Sequence, residues 1–194
     1  MKRIETSIPG LCLIEPVAHE DERGFFFESY NENKFAELGI TTRFVQDNHS
    51  KSVKNTLRGM HYQLAHPQAK LCRVIQGAVQ DVVVDIRYGS PYFGSHVTTI
   101  LSAENKQQIY IPVGFAHGYL VLSETAEFLY KCSDFYCPGD DRGTAWNDPE
   151  VAIPWKVSAP ILSPKDRLHP LLSRVAPDDL PIYAGDDNSP IARH

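Results

Sequence analysis

Arg58-Gly59-Met60-His61-Tyr62-Gln63, followed by Lys70 in Gln68-Ala69-Lys70-Leu71, sets a guanidinium, an imidazole and an ammonium group close together in the chain. A neutral imidazole takes up a proton near pH 7, and fixed cations stabilise the anion that proton removal leaves behind. His61 and Gln63 are two apart, so on a strand both side chains face the same way, and a neighbouring strand starting at Lys70 could face them. A lone histidine is ordinarily a satisfied structural residue. Here four polar groups on short strands, Arg58, His61, Gln63 and Lys70, need a shared reason to lie near a core.

Two further groups could take part. Tyr130 lies in Glu127-Phe128-Leu129-Tyr130-Lys131-Cys132, where alternation puts Phe128, Tyr130 and Cys132 on one face. On its own it reads as a core aromatic; chemically, a phenol near pKa 10 stays protonated at neutral pH and can donate. Asp166, in Leu162-Ser163-Pro164-Lys165-Asp166, is a loop carboxylate that sequence spacing cannot bring to His61. A metal site competes with proton transfer, because Pro112-Val113-Gly114-Phe115-Ala116-His117 has the P-x-G-x-x-H form of the second cupin motif. The first motif normally supplies H-x-H and a later Glu, whereas this chain has His61-Tyr62-Gln63 and no Glu at a suitable distance. Gln is a poor transition-metal ligand beside His, so the set is incomplete and neither metal nor other cofactor is expected.

Positioning these groups falls to short strands. From Arg43 onward, alternating runs near 43–47, 57–63, 70–76, 78–87, 96–101, 107–111, 117–122, 126–133 and 142–146 are separated by turn residues such as Gly77, Gly89-Ser90-Pro91 and Pro138-Gly139-Asp140. The spacing predicts an all-β jelly roll of two packed sheets, whose interior can hold a small molecule, and the P-x-G-x-x-H motif makes the expected fold a cupin-like jelly-roll barrel. Ahead of it lies an N-terminal extension over 1–42, with strands at Leu11–Ile14 and Phe25–Phe27 joined through the turn Asp21-Glu22-Arg23-Gly24. One short helix, capped by Asn31 or Asn33, runs through Phe35 and Leu38 to Gly39. Beyond the core, about 43–150, the proline-rich segment 151–194 predicts loop, one short helix at most, and a tail fraying over Asn188–His194.

At 194 residues with 42% hydrophobic and 22% charged residues, the chain suits one globular domain. The longest apolar runs, such as Val82-Val83-Val84, are far short of the roughly 18 residues of a membrane span, and Met-Lys-Arg-Ile-Glu-Thr lacks a signal-like apolar core, so a cytoplasmic location is expected. Cys12, Cys72, Cys132 and Cys137 form no C-x-x-C pair and read as buried free thiols. A net charge of −5 disfavours nucleic acid or an anionic membrane as partner. A small anionic ligand needs only local cations.

In order along the chain, Asp21-Glu22-Arg23-Gly24-Phe25-Phe26, Val45-Gln46-Asp47-Asn48-His49-Ser50, Arg58 to Gln63, Gly114-Phe115-Ala116-His117-Gly118 and Ile161 to Asp166 resemble the dTDP-4-dehydrorhamnose 3,5-epimerases, metal-free cupin-fold enzymes of deoxysugar biosynthesis. The resemblance spans about Ile14 to Asp166. It implies a dTDP-linked 4-keto-6-deoxyhexose substrate, a general base at His61 oriented by Asp166, and a general acid at Tyr130. Lys70 and Arg58 match cations near the keto oxygen and the diphosphate. Gln46, Asn48, His117, Asp141 and Lys165 match substrate-contacting groups, and Tyr136 matches an aromatic that stacks on thymine. Arg23, Phe26 and Glu28 match residues that reach the nucleotide site of a neighbouring subunit, in homodimers that exchange N-terminal strands. Ala69 stands where Gly is common, and Asp141 where the family has Glu. Relatives acting at C3 or C5 alone, or moving the carbonyl, share the pattern.

Overall fold

The structure, a computed structural model, describes residues 1–185, so the fraying expected at Asn188–His194 lies outside the described residues. Thirteen strands form β1 Lys2–Glu5, β2 Cys12–Glu15, β3 His19–Asp21, β4 Gly24–Phe26, β5 Gln46–Val53, β6 Leu57–Gln63, β7 Lys70–Gln76, β8 Ala78–Asp85, β9 His96–Ser102, β10 Gln108–Ile111, β11 Phe115–Val121, β12 Thr125–Cys132 and β13 Asp141–Gly143. The chain is an all-β, cupin-like jelly roll. A six-stranded sheet, ordered β1-β2-β10-β7-β12-β5, faces a five-stranded sheet, ordered β13-β6-β11-β8-β9, and the barrel does not close.

Between the sheets, alternating residues of both inner faces build one apolar layer from Val79, Val83, Ile109, Tyr119 and Phe128. Tyr119 and Phe128 stack with ring centroids 4.2 Å apart. A second layer, with Met60, Tyr62, Val82, Val84, Leu172 and Leu180, lies between the five-stranded sheet and the C-terminal segment. This explains why β8 is buried along almost its whole length, Gln80, Asp81 and Asp85 included: both of its faces are covered.

The strands at 57–63 and 70–76 match their expected bounds. The one expected at 43–47 instead begins at Gln46 and runs to Val53, because β12 pairs with it over its full length, from Cys132↔Gln46 to Thr125↔Val53. The polar side chains of Asn48, Ser50 and Ser52 concealed that strand, since they point toward a site rather than a greasy core. The helix, α1 Glu32–Glu37, is capped by Asn31, whose side chain accepts from the Lys34 N–H, and Phe35 is its buried anchor. The C-terminal segment holds two short 3-10 turns, Leu172–Arg174 and Pro177–Asp179, in place of the single helix allowed for.

The N-terminal strands are less of an extension than expected. β1 pairs with β2, and β2 with β10 of the main sheet, so both belong to the barrel of their own chain. Only the β3–β4 hairpin forms a separate two-stranded sheet, with Phe25 59% and Phe26 70% exposed. Among the described residues, no helix is long and apolar enough to cross a membrane.

Candidate active site

Two glycines shape the strand that carries His61. In the β6–β11 ladder His117 pairs with His61 but Tyr119 pairs with Arg58, so a bulge puts an extra residue into β6. Arg58 and His61, three apart, would face opposite ways on a regular strand; the bulge gives them the same facing as His117 and Tyr119. Such close packing leaves no room for side chains. A Cβ on Gly59, whose φ is +135°, would stand 2.5 Å from Gly118 Cα, and one on Gly118 would meet Met60 Sδ at 2.7 Å and Arg58 O at 2.8 Å.

Asp166 is delivered to this face by the C-terminal segment. One end of that segment is pinned to β6, where Leu57 N–H donates to Ile161 O at 3.0 Å and Ile161 N–H to Asn55 O at 2.8 Å. The other is held by Ala145 N–H donating to Pro170 O at 2.7 Å, and by Leu172 N–H donating to the Asp148 carboxylate at 2.7 Å. Between these anchors Asp166, 4% exposed, places Oδ1 2.7 Å from His61 Nε2. Burial alone would raise the Asp166 carboxyl, but the adjacent His169 and His61 and the Ser163 hydroxyl outweigh it and hold it well below the usual carboxylate range. An ionised Asp166 keeps the neutral ring's proton on Nε2. The Nδ1 lone pair is then free, on a side chain still 33% exposed.

Of the other groups, Tyr130 and Lys70 stand on the facing sheet, while Arg58 and His117 lie on the sheet that carries His61. Tyr130, on β12, pairs with Asn48 of β5 and Cys72 of β7, and burial pushes its phenol well above the ordinary value, so it stays protonated at neutral pH. The Lys70 ammonium lies 5.9 Å from the Tyr130 ring centroid. Arg58 reaches across to β5, donating from Nε to Ser52 Oγ at 3.1 Å. His117 is buried, gives Nε2 to Asp81 Oδ2 at 2.9 Å and stacks on Phe128 at 6.1 Å.

Gln46 donates to Asn48 Oδ1 at 3.1 Å and accepts from the Tyr136 N–H at 2.9 Å, joining β5 to an exposed rim. There the Tyr136 hydroxyl donates to Asp141 Oδ2 at 2.9 Å, and Asp141 also pairs with Lys165. Burial opposes ionisation of Asp141, but Lys165 and Tyr136 lower it overall.

Arg23, Phe26 and Glu28 are not brought to this cluster within the chain. Arg23 pairs with Asp21 at 2.5 Å in the hairpin turn, and Glu28 pairs with Lys34. Phe26 and Glu28 line a separate groove of about 500 Å³ with Met1, Val17, His19 and Lys34.

The donors of the cupin pattern do not converge on one point. His61 and His117 turn Nε2 to carboxylates on different elements, and the Gln63 amide is committed to the His66 and Phe135 carbonyls and the Cys137 N–H. Among the described residues one group of three, His61, Asp166 and His169, has candidate ligand atoms within 4.8 Å of one another. Its 2.7 Å Nε2–Oδ1 contact is a hydrogen bond. Two tetrahedral ligands each about 2.1 Å from one zinc ion would stand about 3.4 Å apart.

A family model described as dTDP-4-dehydrorhamnose 3,5-epimerase matches residues 5–174. The chain belongs to the dTDP-4-dehydrorhamnose 3,5-epimerase family. A relative of that name from Pseudomonas aeruginosa is 55% identical over 169 residues, 86% of this chain and 93% of the relative. The crystal structure of a dTDP-6-deoxy-D-glucose-3,5-epimerase from Legionella pneumophila, in complex with dTDP-4-keto-L-rhamnose, superposes with a TM-score of 0.92 at 50% identity, covering 95% of this chain and 99% of that one. A Streptomyces niveus relative named dTDP-4-dehydrorhamnose 3-epimerase is 38% identical, over 91% of this chain and 87% of its own.

Sequence reasoning missed two groups that the epimerase fold gathers. Asp81, the partner of His117, had a signal: a carboxylate at the head of Asp81-Val82-Val83-Val84 in a doubly covered strand must have a partner. His169 had none, because its neighbour Asp166 could not itself be placed.

Proposed function

We propose that this chain is a dTDP-4-dehydrorhamnose 3,5-epimerase, converting dTDP-4-dehydro-6-deoxy-D-glucose to dTDP-4-dehydro-L-rhamnose by proton transfer alone. The observation that carries the reading is the His61–Asp166 contact, which leaves Nδ1 of a partly exposed imidazole as a free base. C3 and C5 of the substrate are both α to the C4 carbonyl, so one base and one stabilised enolate serve both inversions.

His61 takes the α-proton and the electron pair moves onto the carbonyl oxygen. Lys70 stabilises that charge, an interaction of a kind worth about 3–4 kcal/mol in the barrier. Tyr130 returns a proton to the opposite face, and the enolate pair re-forms the carbonyl without any co-reactant. Asp166 fixes the His61 tautomer and favours the imidazolium that forms.

Arg58 serves the diphosphate, where a guanidinium fork fits the oxygens. Gln46, Asn48, His117, Asp141 and Lys165 hold the sugar and phosphates, and Tyr136 stacks on the base. Arg23, Phe26 and Glu28 complete the nucleotide site of a second subunit. That requires a homodimer in which the β3–β4 hairpin crosses over, and its exposed Phe25 and Phe26 support this reading.

Incubation with the nucleotide sugar in D2O should place deuterium at both C3 and C5, and His61→Ala should abolish exchange at both, a loss of about a thousandfold or more. Exchange at C3 alone would assign the chain to the single-carbon activity named for the Streptomyces niveus relative.

A further inference from the structure

His169 is a buried histidine without an assigned purpose. Its side chain is 9% exposed, and Nε2, shut off from solvent, makes no hydrogen bond among the described residues. Its nearest charged atom is Asp166 Oδ1, 3.7 Å away, the same oxygen that His61 approaches at 2.7 Å. The two imidazoles meet edge to face with centroids 5.7 Å apart.

The slot is made by Gly143. A Cβ there would stand 2.5 Å from His169 Nε2 and 2.6 Å from Cε1, so any other residue would push the ring out. Gly143 is also the residue of β13 that pairs with His61. The backbone beside the base is thus shaped to admit a second imidazole.

We infer that His169 is a positioning residue that acts through Asp166, sharing its carboxylate oxygen with His61 and thereby limiting how strongly that carboxylate holds the proton on His61. A bare Nε2 lone pair facing a carboxylate is repulsive, so the carboxylate selects the His169 form with a proton on Nε2. That N–H draws on the same oxygen as His61. A carboxylate divided between two donors raises the basicity of either less than one devoted to a single donor. His169 therefore keeps His61 less basic than a carboxylate devoted to it alone would make it, so that its conjugate acid gives up the proton more readily.

This rests on the reading of His61 as the base. The other charged groups around the pair are Asp141 with Lys165 on the rim, His117 with Asp81 on β11 and β8, and Arg142, Arg174 and Asp179 along the outer groove beside His169. All remain when His169 is replaced.

The test is the pH dependence of kcat/KM for exchange in the full-length protein. His169→Phe keeps a planar ring and removes the donor; it should move the acid limb up by about half a pH unit or more while KM stays within about twofold. His169→Gln, which returns an N–H near the Nε2 position, should restore the wild-type limb. An unmoved acid limb in His169→Phe overturns the inference, and so does a limb moved equally in both variants. If the Phe variant does not fold, nitrogen NMR of the wild-type protein decides: His169 carrying its proton on Nε2 supports the inference, and a bare Nε2 overturns it. His61→Ala run alongside separates the two readings. If it retains exchange, the base assignment fails; if it is inactive while the His169→Phe limb is unmoved, only the role of His169 fails.

Discussion

His61 and His117 pair in register across β6 and β11, and each gives Nε2 to a buried carboxylate, at 2.7 Å and 2.9 Å respectively. What separates them is access and the source of the carboxylate. The His61 side chain is 33% exposed and that of His117 is 7% exposed. Asp81 comes from β8, the next strand in the same sheet, so the His117 pair is built as the sheet is built. Asp166 arrives on a strap pinned at both ends. One chemical pair thus serves two ends: nearly buried beside Phe128 it fixes the His117 ring in place, and more open at His61 it leaves a lone pair free to react.

Replacing the two carboxylates should separate these roles. Asp166→Asn should lower turnover by about a hundredfold or more, because the amide neither fixes the tautomer nor stabilises the imidazolium; steady-state exchange rates measure this. It should also change the acid stability profile. Asp166 is depressed in the folded state, so its contribution is present above its unfolded value near 4 and is lost as pH falls through the folded value. The gap in melting temperature between wild type and Asp166→Asn should therefore be widest above about pH 5 and narrow in acid, as thermal denaturation across pH would show.

Asp81→Asn should do the reverse. Among the described residues Asp81 Oδ1 already lacks a partner, and an amide there costs about 1–3 kcal/mol of stability, read by denaturant unfolding, with turnover falling by about tenfold or less. A larger loss of turnover than in Asp166→Asn would remove the distinction between the pairs. The smallest effect belongs to the rim: Tyr136→Phe loses only the bond to Asp141 and should leave KM within a fewfold, whereas Tyr136→Leu loses the stacking face and should raise KM about tenfold.

The sequence made the barrel legible through turn residues and alternation, and pointed to Arg58, His61 and Lys70 as candidates through their crowding along the chain. The strand Gln46–Val53 was obscured because its inward residues are polar, which reverses the usual signal. The shared facing of Arg58 and His61 was hidden as well, since a bulge changes strand parity without changing composition. Asp166 and His169 belong to a segment with no periodicity, whose position is set by a few backbone hydrogen bonds to β6 and neighbouring loops.

That strap also sets when the molecule becomes competent. His61 and Asp166 are 105 residues apart, so a chain emerging from the ribosome displays its imidazole long before the carboxylate exists. Until that strap docks, Asp166 does not fix the His61 tautomer. A chain lacking that strap would thus carry His61 without its orienting carboxylate, and epimerising power would arrive only once the strap has docked.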